Sequence, residues 1–130
     1  MKPATATVVC IVEGDESVRS SLERLLHAAG LEPRAYESAQ RFLEEVSEER
    51  RACLLVDMAL PGLTAMQLRA KLRERGIVLP MIAVSVRDDE QVRLSARELG
   101  AKLFLRKPVD DQALLDAIEW VTGPGEAEVQ

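Results

Sequence analysis

Short apolar runs, separated by amphipathic segments, decide what this chain can fold into. Thr7-Val8-Val9-Cys10-Ile11-Val12, Cys53-Leu54-Leu55-Val56 and Pro80-Met81-Ile82-Ala83-Val84 carry aliphatic or β-branched side chains at nearly every position. Each is too short for a buried helix, and a strand with one wet face would alternate apolar with polar residues. Successive apolar positions mean a strand covered on both faces, the condition of a parallel sheet flanked by helices. Each run also stops at a polar residue: Glu13, Asp57 and Ser85. Burying an unpaired charge is too costly, so the carboxylates belong at strand ends.

The intervening segments have helical period. Val18, Leu22, Leu25, Leu26 and Ala29 share one face of a first helix that stops at Gly30. A more polar strand at Pro33–Tyr36 suits a sheet edge, and Ser38 caps a short helix carrying Phe42, Leu43 and Val46. The third strand, residues 52–56, ends at Asp57. Thr64-Ala65-Met66-Gln67 has capping-box spacing and opens a helix with Ala65, Leu68 and Leu72 inward and Gly76 at its end. Asp88 or Asp89 starts a fourth helix along Val92, Ala96 and Leu99, with Gly100 as its stop. Leu103-Phe104-Leu105 is a fifth strand, followed by Arg106-Lys107-Pro108. Asp110 caps a last helix that buries Ala113, Leu114, Ala117, Ile118 and Val121. Strand and helix thus alternate five times with short links. Right-handed crossovers make this one α/β domain: a parallel sheet with helices on both faces. Residues 1–122 are read as that domain and 123–130 as a flexible tail or the start of a linker.

Composition narrows the function classes. A net charge of −5 without a basic run argues against direct nucleic-acid binding. The apolar runs are far too short to span a membrane. Met1-Lys2-Pro3-Ala4 leads into the first strand without a signal peptide's apolar region, so a cytoplasmic location is expected. Cys10 and Cys53 lie within apolar runs and read as small hydrophobes, and two cysteines with one histidine make a disulfide or metal site improbable. His27 and Trp120 fall on helices, in packing or surface roles.

In a parallel sheet all strands present their C-terminal ends to one edge, where ligands bind. Glu13, Asp57, Ser85 and Lys107 therefore converge there. Taken singly, Glu13 and Asp15 are ordinary first-turn acids, Ser85 a loop hydroxyl and Lys107 a solvated cation with little weight in folding. Taken together, they suit one chemistry. A carboxylate can attack phosphorus and form an aspartyl phosphate. Asp57 is then the nucleophile, Lys107 the counter-charge on the transferring phosphoryl group, Ser85 the hydroxyl that senses it, and Glu13 a carboxylate on the side of a divalent cation.

These motifs together resemble the response-regulator receiver domains (CheY-like) of two-component signalling. The similarity runs from about Thr7 to Val121 and rests on Val12-Glu13-Gly14-Asp15, Val56-Asp57 with Pro61-Gly62, Ser85 after the fourth strand, and Lys107-Pro108 after the fifth. The resemblance implies a flavodoxin-like sheet in the order 2-1-3-4-5. It implies phosphorylation of Asp57 by a histidine kinase or phosphotransfer protein. It also implies Mg²⁺ held by Glu13, Asp57 and the backbone carbonyl of Ala59, a Lys-Pro bond that is usually cis, and an aromatic switch at Phe104. The switched face would be the fourth helix, fifth strand and fifth helix, meeting a downstream effector or a second copy. Two positions depart from the family's pattern. Two adjacent acids are usual where this chain has Glu13-Gly14, so Mg²⁺ binding is expected to be weak unless Asp15 bends inward. Ala65 stands where Gly is usual, and the loop Met58-Ala59-Leu60 is unusually apolar. The alternative within the fold is a degenerate receiver, a phosphorylation-independent interaction or dimerisation module. A phosphatase-like hydrolase ranks last, because Met58, Ala59 and Leu60 supply no acid–base carboxylate beside Asp57.

Overall fold

A computed structural model describes residues 7–46, 52–59 and 63–123. Among the described residues, strands and helices alternate as β1 (Val8–Val12), α1 (Glu16–Ala28), β2 (Glu32–Tyr36), α2 (Ala39–Glu45), β3 (Ala52–Asp57), α3 (Ala65–Glu74), β4 (Met81–Ser85), α4 (Glu90–Leu99), β5 (Leu103–Arg106) and α5 (Asp111–Thr122). Leu60, Pro61, Gly62, the Ala65 side chain and residues 124–130, all singled out from the sequence, lie outside what is described.

Each helix starts where its sequence offers an oxygen to otherwise unpaired backbone N–H groups. Asp15 accepts from the N–H groups of Ser17 and Val18, Ser38 from Arg41, Asp89 from Val92 and Asp110 from Ala113. Thr64 and Gln67 complete the reciprocal capping box. α4 ends at Gly100, whose φ of 89° is left-handed and suits a residue without Cβ.

The strands are parallel and ordered β2-β1-β3-β4-β5. β2 is one of the two edges, and all five of its residues are half-buried, as its polar sequence predicts. Alternation along the inner strands feeds two cores. Val8, Cys10, Val12, Leu54 and Val56 pack with Phe42, Leu43, Leu68, Leu72 and Leu99, so α2, α3 and α4 cover one face. Val9, Ile11, Leu55, Ile82 and Val84 pack with Leu26, Leu114 and Ile118, so α1 and α5 cover the other. Fully burying a side chain such as Phe42 or Leu26 stabilises the fold by about 1.5–3 kcal/mol. Cys10 and Cys53 form no disulfide and are buried in opposite cores, with the sheet between them.

Two expectations need correction. Ala29 is exposed because it is the C-cap of α1, beyond the last turn that faces the sheet. Ala113 is exposed because the buried line of α5 runs through Leu114, Ala117, Ile118 and Val121, one step aside. On α1 only Leu26 is buried. Val18, Leu22 and Leu25 are half-buried because they line a cleft of about 540 Å³ that also touches Leu114 of α5.

Candidate functional site

The C-terminal ends of β1, β3 and β4 and the segment after β5 bring Glu13, Asp57, Ser85 and Lys107 to one edge. Glu13 follows β1 directly, and Asp57 is the last residue of β3. Lys107 lies past β5, where its backbone N–H donates to the Ser85 carbonyl at 2.8 Å, and the Lys107-Pro108 peptide is cis.

The Lys107 ammonium donates to Glu13 Oε1 at 2.6 Å and to Asp57 Oδ2 at 2.9 Å. It thus bridges two carboxylates from distant parts of the chain. The second oxygen of each is also engaged, since Asp15 N–H donates to Glu13 Oε2 at 3.1 Å and Ala59 N–H to Asp57 Oδ1 at 2.9 Å. The side chains of Lys107, Glu13 and Asp57 are 17%, 5% and 14% exposed. Lys107 is therefore not the solvated rim cation expected from its position after a strand. Burial opposes its charge, but its hydrogen bonds to Glu13 and Asp57 and their negative charges prevail and hold its pKa above the ordinary lysine value.

Ser85 is buried at the end of β4, and its Oγ accepts the N–H of Arg87 at 3.0 Å. Its hydroxyl proton remains a donor, as any serine's does. Asp15 lies beside the cluster, but its carboxylate is spent on the N-cap of α1. The Val18 and Ser17 N–H groups hold its pKa below the usual aspartate value. Phe104 lies across from Ala83 on β5, with the Arg93 guanidinium over its ring.

Sequence reasoning missed Arg19. Its guanidinium donates to the carbonyls of Glu13 at 2.9 Å and Gly14 at 3.3 Å, fixing the loop that carries the first acid. Nothing in the spacing of a surface arginine on α1 announces that role.

A magnesium ion requires an octahedral set of oxygens. Glu13 and Asp57 bring four, each already accepting a donor of the chain, and Gly14 adds none. Among the described residues no third Asp, Glu, His or Cys completes a group able to hold a metal ion. In this arrangement the residues do not fit a divalent-cation cage; the Lys107 ammonium is the cation the two carboxylates share. Among the described residues no helix is long and apolar enough to cross a membrane.

Comparison with known proteins gives one consistent result. The model of the response regulator receiver domain matches residues 9–119. The transcriptional regulatory protein TdiR of Thauera aromatica is 38% identical over 117 residues, covering 90% of this chain and 52% of its own length. Nodulation protein W of Bradyrhizobium diazoefficiens is 36% identical, over 88% of this chain and 51% of its own. The chain spans about half the length of these curated relatives. Among solved structures, the response regulator StyR superposes with a TM-score of 0.82 at 34% identity, covering 95% of this chain and 62% of that one. FixJ-N superposes with a TM-score of 0.80 at 29% identity, covering 89% and 93%.

Proposed function

Because this chain belongs to the response regulator receiver domain family of two-component systems, we propose that Asp57 is its phosphoacceptor and that phosphorylation switches a partner-binding face. A receiver is a signalling module that is itself modified, not an enzyme in the ordinary sense. The donor would be a histidine kinase or phosphotransfer protein, in the cytoplasm. An Asp57 carboxylate oxygen forms a bond to phosphorus as the donor's N–P bond breaks, and the departing imidazole takes up a proton. The observation that carries the reading is the Lys107 ammonium, 2.9 Å from Asp57 Oδ2. From there it would neutralise charge on the transferring phosphoryl oxygens. Ser85, one residue beyond the β4 partner of Asp57, would donate its hydroxyl to the bound phosphoryl group. Phe104 would then report that contact to α4, β5 and α5, where Leu94 and Trp120 each stand 51% exposed. The expected mechanism is a shift between two packings of that face.

A second reading is favoured by one observation, the full engagement of all four carboxylate oxygens. Under it the chain is a degenerate receiver that binds partners or itself without phosphorylation, and Glu13, Asp57 and the Ala59 carbonyl bind Mg²⁺ weakly at best. Intact mass after incubation with acetyl phosphate and Mg²⁺ separates the two readings. A single added phosphoryl group, lost in Asp57→Asn, supports the first. No gain, or an undiminished gain in the variant, removes Asp57 from the role.

A further inference from the structure

The guanidinium carbon of Arg93, on α4, lies 5.0 Å from the centre of the Phe104 ring. That is cation–π distance. The Nε of the same arginine pairs with Asp88 in the β4–α4 loop. Leu103 and Leu105 pack into the core beneath α1 and α5, so alternation turns Phe104 to the opposite face of β5, towards α4. The ring is half-buried, and a charged side chain spans it.

The loop that carries Asp88 is itself tied to Ser85. Ser85 Oγ accepts the Arg87 N–H at 3.0 Å. The Arg87 guanidinium holds Asp89 through contacts of 2.8 and 2.7 Å, and Asp89 caps α4. Asp88, between Arg87 and Asp89, holds Arg93. Its hydrogen bond to Arg93 keeps the Asp88 carboxyl below the usual aspartate range. From Ser85 to Phe104 the links are thus one hydroxyl, one short loop and one arginine.

We propose that Asp88 and Arg93 form a latch that positions Phe104: Asp88 anchors the Arg93 guanidinium over the ring, and movement of the loop beyond Ser85 releases it. Arg93 is a positioning residue. It stabilises the unphosphorylated packing and so sets how readily the chain passes to the other. The inference rests on the reading of Asp57, Ser85 and Phe104 above, and it adds the element that couples loop to ring. Breaking a cation–π contact at an exposed site shifts an equilibrium about two- to fivefold. Releasing the latch should therefore raise the rate of Asp57 labelling by acetyl phosphate by that factor.

The chain has two phenylalanines, Phe42 and Phe104, so incorporating para-fluorophenylalanine yields two fluorine NMR resonances, which Phe104→Leu assigns. In the unphosphorylated protein, Arg93→Met and Asp88→Asn should move the Phe104 resonance in the same direction. The double variant should move it no further than Arg93→Met alone. Acetyl phosphate should move it the same way in the unmutated chain. Arg93→Met should speed labelling, and the gain should vanish in a Phe104→Leu background. An Asp88→Asn resonance identical to that of the unmutated chain would overturn the latch, as would equal acceleration by Arg93→Met without the ring. If Asp57 cannot be labelled in any variant, the phosphoacceptor reading fails, while the unphosphorylated spectra still decide whether Asp88 positions Arg93 over Phe104.

Discussion

Replacing Lys107 by Met removes the ammonium and keeps most of the apolar stem. At 2.6 and 2.9 Å from two carboxylate oxygens, its gross attraction to each is about 6 kcal/mol at an effective dielectric constant near 20. Most of that is offset by desolvating three charges, which costs several kcal/mol per fully buried ion. The net lies between the ~0–1 kcal/mol of an exposed pair and the ~3–5 kcal/mol lost when one partner of a buried pair is removed. Limited exposure of all three side chains puts the site nearer the second case. Lys107→Met should therefore destabilise the fold by about 2–3 kcal/mol at neutral pH, chiefly because Glu13 and Asp57 are left uncompensated. Urea denaturation followed by circular dichroism measures the loss. Glu13→Gln combined with Lys107→Met should lose less than the sum of the single variants, because the two share one interaction. The pH dependence has a definite sign. The folded pKa of Lys107 is raised above 10.5, so its contribution is complete below that value and disappears as pH rises through the folded pKa. The unmutated chain should lose stability there, and Lys107→Met should lack that component. A loss below about 0.5 kcal/mol, within the range of exposed pairs, would return Lys107 to the status of a solvated rim cation.

Two further outcomes follow from the geometry. A Cβ on Gly14 would meet nothing closer than the Glu37 carbonyl oxygen at 3.9 Å, so the backbone there accepts the Cβ that Gly14→Asp introduces. By adding a third carboxylate it should tighten Mg²⁺ binding about tenfold or more. Backbone NMR titration of both proteins tests this, and equal, tight binding would mean that Asp15 already serves as the missing ligand. Burial pushes the Cys53 thiol up to about 12, so the thiol should resist a disulfide reagent at pH 8 in the native chain and react on unfolding. Rapid native reaction would show that the core around β3 opens easily.

Much of the fold was legible because local signals agreed. Four apolar runs and one more polar strand, caps at Ser38, Thr64, Asp89 and Asp110, and glycines at helix ends all specified one alternation, and right-handed crossovers left few topologies. The convergence of Glu13, Asp57, Ser85 and Lys107 followed from strand direction alone. What stayed hidden depends on side-chain reach. Periodicity places Lys107 after a strand but cannot say that its ammonium folds back between two carboxylates. It put Val18, Leu22 and Leu25 on the inner face of α1, correctly, yet the gap towards α5 that leaves them half-covered is a matter of helix spacing. Asp15 could be read as cap or ligand, and the N–H groups of Ser17 and Val18 made it the cap. Arg93 carried no signal, because a contact between α4 and an edge strand obeys no sequence interval.

The parallel topology also sets the field at the site. Among the described residues every helix begins at the edge where the inner strands end, so five positive helix termini face the same side, each equivalent to about half an elementary charge. Asp15, Asp89 and Asp110, as caps, absorb part of that charge, and Lys107 supplies a full one beside Asp57. At long range the sign reverses, because the chain as a whole carries −5. Beyond roughly a Debye length, about 10 Å at 0.1 M salt, that repulsion is screened, so a small dianionic phosphodonor meets it on the final approach to the domain surface. Its encounter with the domain should quicken as ionic strength rises, the opposite of an electrostatically steered association. A partner protein can escape that penalty by presenting a basic surface around its phosphoryl group, so the acidity of this chain selects for donors that bring their own positive charge.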